Sequence, residues 1–438
     1  MASTDRVRVD LSDQTAVASR RDAGTRSSGC ARPARGAPMT SPVARMRVST
    51  VAPRSRPAPK GVGRPVGTPL TVLGGAGDPR GTSSAGLAPG RTWLVVVELV
   101  DEEGVTGIGT AGFGNPATLE LLDQLEPLVV GAAPSEVGRV WESMYRATLN
   151  IGRRGVVLHA ISAVDIALWD LFGKQLGVPV YELLGGRLRA SLPAYASWLY
   201  ATEDLDALAA EAAGWAAQGF TAVKQRLPYG PLEGRSGIRR NVELVRTVTD
   251  AVGPDIDVMA DAYMSWDAGY AIRCIRAFED AGLRLRWLEE PLVPDDIPGL
   301  ARVRASVATP IAAGEHEATR YGFRDLVEAG AVDVLQPDVN RLGGITEARR
   351  VWALGETFGL DVIPHLGFAH NAHLAITSLA TPLLEYMPPA AHPDQADEDQ
   401  IFWVAFPDEP RAANGLVTLS EGPGLGVTLD RSVLDPAT

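Results

Sequence analysis

The chain has 438 residues, too many for one simple core, and its composition (45% hydrophobic, 21% charged, 46 glycines, 32 prolines) is that of a globular protein with two domains or a barrel plus an added domain. A net charge of −12 argues against nucleic acid, which requires clustered Lys and Arg, and two cysteines, Cys30 and Cys274, are too few for a disulfide framework and fit a reducing, cytoplasmic setting. No apolar run reaches the roughly 18 residues of a membrane helix, so the expected partner is a small molecule, with no nucleic acid and no membrane.

Charge is uneven along the chain. Residues 1–60 carry twelve basic and four acidic side chains, a net +8, whereas the remainder carries 29 against 49, a net −20. The first 43 residues are rich in Ser, Arg, Ala and Gly without an apolar period, and read as a disordered extension. The twin arginine in "SRRDAG" has no apolar segment after it, which argues against an export signal, and Met39 stands just before the first strand-like run. Residues 92–112 read as a hairpin, "TWLVVVELV" and "VTGIGTAG" about the turn "DEEG". Helical runs follow, the strongest at 157–177, so residues 44–190 form an α+β capping unit.

From about residue 191 strand and helix alternate. Strand-like "LPAYAS", "TAVKQRL", "DIDVMAD", "LRWLEEP", "TPIAAGE", "VDVLQPD", "LDVIPH" and "PLLEYM" are separated by helical stretches, which makes eight strands. Strict alternation demands a parallel sheet, and eight strands favour a (β/α)8-type barrel over residues 191–390. Residues 391–438 are not barrel-like and are expected to return to the cap.

Such barrels place chemistry at the C-terminal ends of their strands. The polar residues there are Lys224 and Arg226, Asp261, Glu289, Glu315 with His316, Asp338, His365 and Glu385, with successive gaps of 20 to 37 residues, about one βα unit each. Asp261, Glu289 and Glu315 are carboxylates on adjacent strands, which would raise one another's pKa unless a hard divalent cation such as Mg2+ joined them. The alternative is three solvated loop acids. Glu290, next to Glu289, points the other way in a strand and reads as a salt-bridge partner. "GIGTAG" fits a dinucleotide fingerprint literally, but it ends a hairpin strand instead of opening a helix, so it reads as a turn of the cap. Gly343-Gly344 reads either as an anion cradle or as a tight turn.

The motifs "VKQR" (223–226), "ADAYMSWD" (260–267), "WLEEPLVPDD" (287–296), "PIAAGEHEATRYGFRDL" (310–326), "DVLQPDVNRLGGITEAR" (333–349), "IPHLGFAHNAH" (363–373) and "PLLEYMP" (382–388) resemble the mandelate racemase branch of the enolase superfamily over roughly residues 44–432. Within that branch the chain is similar to L-rhamnonate and related sugar-acid dehydratases. The resemblance implies Mg2+ on Asp261, Glu289 and Glu315, a base dyad of Asp338 and His365, an acid-sugar substrate and a homo-oligomer. It also implies removal of the proton α to a carboxylate, for which histidine has a suitable pKa and a neighbouring aspartate fixes its tautomer. Racemases of this branch place a lysine base two residues after another lysine, but here that position is Arg226, a poor base. One base with loss of the 3-hydroxyl is dehydration, with Lys224, Arg226, His316 and Glu385 as substrate contacts. His370 and His373, on the helix after His365, read as structural. The rivals are a racemase or epimerase of the same superfamily and a non-catalytic barrel. Relatives hold substrate with a cap histidine and arginine; this chain has no histidine before His159, and Arg80 or Arg91 could supply the arginine.

Overall fold

The computed structural model describes residues 40–52, 67–73, 93–114, 116–200, 202–390, 396 and 400–436. The extension read in the first 43 residues falls almost wholly outside them, as do Cys30, Arg80 and Arg91; Cys274 is buried and free.

The N-terminal part is an antiparallel sheet of β1 (Val43–Val51), β2 (Trp93–Asp101) and β3 (Thr106–Gly114) covered by the helices α1 (Pro116–Val129), α2 (Val137–Thr148) and α3 (Val156–Leu176). α3 lies directly on β3. A Cβ at Gly107 would stand 2.3 Å from the Ala167 carbonyl oxygen, and one at Gly109 would stand 2.0 Å from that of Ala163. Gly107 and Gly109 of "GIGTAG" therefore serve close strand–helix packing, and the space a dinucleotide would need beside them is filled by α3. α3 differs from the sequence expectation about membranes, because its 21 residues are long and apolar enough to cross one by length and composition. It is instead the central core helix, with most of its side chains buried.

After the short α4 (Val180–Leu183) the barrel begins. Its strands are β4 (Leu192–Leu199), β5 (Ala222–Arg226), β6 (Asp257–Asp261), β7 (Leu285–Glu289), β8 (Ile311–Ala313), β9 (Val334–Leu335), β10 (Asp361–Val362) and β11 (Leu384–Tyr386). All pair in parallel in the order β10-β9-β8-β7-β6-β5-β4-β11. The helices between them are α5 (Leu205–Ala217), α6 (Gly234–Val252), α7 (Ala268–Asp280), α8 (Ile297–Arg304), α9 (Thr319–Glu328), the single turn α10 (Val339–Leu342), α11 (Gly344–Phe358) and α12 (Ala369–Ala375). Aspartates start several of them, Asp204, Asp267 and Asp296 each accepting from a backbone N–H three residues on, at 2.8–3.0 Å. α12 is short, seven residues, and carries both His370 and His373.

One buried cluster closes the barrel inside: Tyr195, Ala222, Met259, Trp287, Ala312, Val334, Ile363 and Leu383, one residue from each strand or its immediate flank. This apolar layer is the barrel floor. The C-terminal segment divides its contacts. Following α13 (Ile401–Ala405), β12 (Leu416–Val417) pairs with barrel strand β4, whereas β13 (Asp435–Pro436) pairs with β1 of the cap sheet.

Candidate active site

Side chains on a strand alternate, so the residue two beyond each floor residue faces the same interior, one layer nearer the mouth. Counting two from the floor gives Ser197, Lys224, Asp261, Glu289, Gly314, Gln336, His365 and Glu385. Lys224, Asp261, Glu289, His365 and Glu385 thus share one layer. Arg226 and Asp338 stand two residues further, and Glu315 with His316 begins the loop after β8.

Backbone strain collects at this mouth. Of six non-glycine residues with positive φ among those described, five follow barrel strands: Tyr263 (41°), Met264 (57°), Glu290 (35°), Thr319 (57°) and Leu366 (57°). Left-handed backbone is costly for such side chains and is retained where it aims functional groups. At Glu290 the left-handed turn breaks strand alternation. The side chain, instead of pointing away, accepts from His316 Nδ1 at 2.9 and 3.1 Å, at the mouth.

Lys224 is buried and clamped, its Nζ 2.6 Å from Glu289 Oε1 and 2.7 Å from Glu385 Oε1. Burial alone would lower its pKa, but Glu289 and Glu385 hold it well above the ordinary value, so it is a fixed ammonium. Glu289 Oε2 accepts from Gln336 Nε2 at 2.7 Å and Trp287 Nε1 at 3.1 Å, and Glu385 Oε2 from the Leu366 N–H at 2.8 Å. The Arg226 guanidinium lies over the Tyr200 ring, 4.7 Å from its centroid, with Nε 3.9 Å from Asp261 Oδ2 and Nη1 donating to the Ser197 carbonyl.

His365 Nδ1 stands 2.8 Å from Asp338 Oδ2, while its Nε2 faces Glu315 Oε2 at 3.7 Å. Burial would depress the imidazole; Glu315 and the bond to Asp338 outweigh it, against the repulsion of Arg341, and raise it to about 9. Asp338 is buried too, yet Arg341 and His365 bring it down to about 2, so the dyad's carboxylate stays ionised. Sequence reasoning missed Arg341. Its guanidinium joins the dyad to the acidic cluster, with Nε 3.1 Å from Asp338 Oδ2 and Nη1 3.3 Å from Glu315 Oε1. It missed Gln336 as well, although its inward register on "VDVLQPD" was available to find it.

The acids outnumber their cations. Asp261, Glu289, Glu290, Glu315, Asp338 and Glu385 are all at most 5% exposed, against the three permanent cations Lys224, Arg226 and Arg341. The strain appears at Asp261, whose carboxyl is driven up to about 8 by burial and by Glu289. Asp261 and Glu289 are register partners on β6 and β7, and the Glu315 loop leaves the next strand. A donor set of hard oxygens with surplus negative charge suits Mg2+. The tightest grouping of ligand atoms among the described residues is a different one, Glu290, Glu315 and His316, within 4.8 Å of one another. There His316 Nδ1 already serves Glu290.

The remaining sites resolve structurally. His373 is held through both ring nitrogens, accepting from the Tyr181 N–H and donating to the Leu425 carbonyl. Gly343-Gly344 holds no free cradle, because the Gly343 N–H donates to Ser162 Oγ and a Cβ at Gly344 would meet Asp165 Oδ2 at 2.5 Å. It is the seat on which α3 docks.

An α+β cap over a parallel barrel, with acids on consecutive strands and a histidine–aspartate pair at the same mouth, defines a barrel enzyme of the enolase superfamily. Residues 83–185 match the mandelate racemase / muconate lactonizing enzyme N-terminal domain, and residues 207–433 match the enolase C-terminal domain-like family. The chain belongs to the mandelate racemase / muconate lactonizing enzyme family. It is 40% identical over 341 residues to an L-rhamnonate dehydratase of Saccharopolyspora erythraea, covering 77% of this chain and 84% of that protein. The crystal structure of L-rhamnonate dehydratase from Gibberella zeae superposes with a TM-score of 0.78 at 33% identity, covering 91% of this chain and 97% of the other. The same enzyme complexed with Mg gives a TM-score of 0.77 at 32% identity and the same coverage.

Proposed function

We propose that the chain is a Mg2+-dependent dehydratase of a sugar acid, L-rhamnonate or a related aldonate, producing a 2-keto-3-deoxy acid. The observation that carries this reading is the asymmetry between the two potential bases. Lys224 is locked as an ammonium between Glu289 and Glu385, whereas His365 presents Nε2 to the site with its Nδ1 proton held by Asp338. One base supports elimination; two opposed bases would be needed to racemise.

Asp261, Glu289 and Glu315 would hold Mg2+, which supplies a Lewis acid that acidifies the α-proton and stabilises the negative charge developing on the substrate carboxylate. Glu315, with its charge taken up as a metal ligand, would no longer hold the proton on His365, so that Nε2 takes the proton from C2 and Asp338 stabilises the imidazolium so formed. The C2–H electrons form the C2–C3 double bond as the C3–O bond breaks. Protonated His365 returns its proton to the departing hydroxyl, which leaves as water. The enol then tautomerises to the keto acid. Arg226 presents fixed positive charge to the substrate carboxylate and His316 contacts its hydroxyls, whereas Lys224 and Glu385, expected from the sequence as substrate contacts, are buried against Glu289 and hold that carboxylate in place. The Saccharopolyspora and Gibberella relatives support the choice of substrate class. The test is incubation with a panel of aldonates in D2O with Mg2+, followed by NMR. Appearance of 2-keto-3-deoxy products supports the reading, and C2 epimerisation faster than water loss replaces it with a racemase.

A further inference from the structure

We propose that Thr110 of the cap, with Asn340 and His370 of the barrel, forms a positioning relay that sets the geometry of the Asp338–His365 pair. This rests on the functional reading above for its kinetic consequence, but not for its structural one.

The chain of contacts is continuous. Asp338 begins the single-turn helix α10, its Oδ1 accepting from the Asn340 N–H at 2.7 Å while its Oδ2 binds His365. The place of that turn is set by the Asn340 side chain. Its Nδ2 donates to His370 Nε2 at 2.5 Å, and its Oδ1 accepts from Thr110 Oγ1 at 2.7 Å. All three residues are at most 4% exposed, and the His370 ring packs against Phe402, centroid to centroid 5.6 Å. An acceptor role for Nε2 requires neutral His370, and burial lowers its pKa to about 4. A buried amide satisfied at both ends has one orientation; freed at either end, it turns and carries the Asn340 N–H off Asp338. The cap strand β3 thereby reaches the base without touching substrate.

The test uses the full-length protein with 15N-labelled histidine, the variants Thr110→Val, His370→Phe and His370→Gln, and His365→Asn to assign the His365 Nδ1 proton. Gln offers Asn340 an oxygen acceptor, whereas Phe fills the ring's space without one. Thr110→Val and His370→Phe should each lower kcat roughly tenfold, a loss expected of misplacement remote from the chemistry, with KM within about twofold of wild type. Both should shift or broaden the His365 Nδ1 proton resonance, and His370→Gln should restore kcat and resonance. Wild-type kcat and an unmoved resonance in folded Thr110→Val and His370→Phe would overturn the relay. A fall in His370→Gln as deep as in His370→Phe would also overturn it, leaving packing alone. If the wild type turns over no aldonate, the functional reading fails, and the His365 resonance alone decides the relay.

Discussion

Replacing Lys224 by Met removes the cation between two carboxylates that have almost no access to water. Glu289 and Glu385 are 1% and 0% exposed, and each has one oxygen within 2.7 Å of Lys224 Nζ. Removing one member of a buried ion pair costs about 3–5 kcal/mol, because the partner charge is left uncompensated. Here the lower end applies, about 3 kcal/mol, since Gln336, Trp287 and the Leu366 N–H still satisfy the other carboxylate oxygens. The loss should be read as the shift in urea-unfolding midpoint in EDTA. In saturating Mg2+ the difference from wild type should shrink, because a divalent cation among Asp261, Glu289 and Glu315 no longer faces the lysine's positive charge. A tenfold gain in Mg2+ affinity would recover about 1.4 kcal/mol. If the variant is as stable as wild type in EDTA, or if Mg2+ widens the gap, the assignment of Lys224 and of the metal ligands is wrong.

Glu289→Gln should abolish turnover and weaken Mg2+ binding by at least about tenfold while leaving the circular dichroism spectrum unchanged, and undiminished wild-type activity in excess EDTA would refute the metal's role. His365→Asn should eliminate both exchange of the substrate α-proton with D2O and water loss, and Asp338→Asn should lower kcat by about a hundredfold or more through loss of tautomer control; wild-type exchange in His365→Asn would place the base elsewhere. Arg226→Lys should keep part of the turnover, since charge is conserved, and NMR of recovered substrate should reveal slow C2 epimerisation if the new lysine can lose its proton. Burial lifts Glu409 from 4.5 to about 8, so its contribution to stability is present below about pH 4.5 and lost as pH rises through about 8, a change on the order of 5 kcal/mol. Glu409→Gln should therefore gain in urea midpoint relative to wild type between pH 5 and pH 9, and a pH-independent difference would refute the shift.

Much of the candidate site was legible because strand alternation is local. Once "VKQR", "VMAD", "RWLE", "IPH" and "LLEY" are read as parallel strands, period-two geometry sends Lys224, Asp261, Glu289, His365 and Glu385 to one interior. No knowledge of neighbours is needed for that. Which group meets which is a different matter, because it depends on residues tens to hundreds apart in sequence. Glu290 is the salt-bridge partner the sequence suggested, of His316, but strand alternation gave its direction wrongly, since its left-handed backbone turns the side chain to the mouth. The Arg341 bridge exists only because α10 is one turn long and lies beside the Glu315 loop. Gly343-Gly344 left a choice between anion cradle and turn that Asp165 and Ser162 of the cap decide by occupying the space. By itself the sequence determined the periodicities, and with them the barrel and the layer of ionisable groups. Only the tertiary structure decided their partners and protonation, because those follow from burial and from contacts that form when the barrel closes and the cap docks.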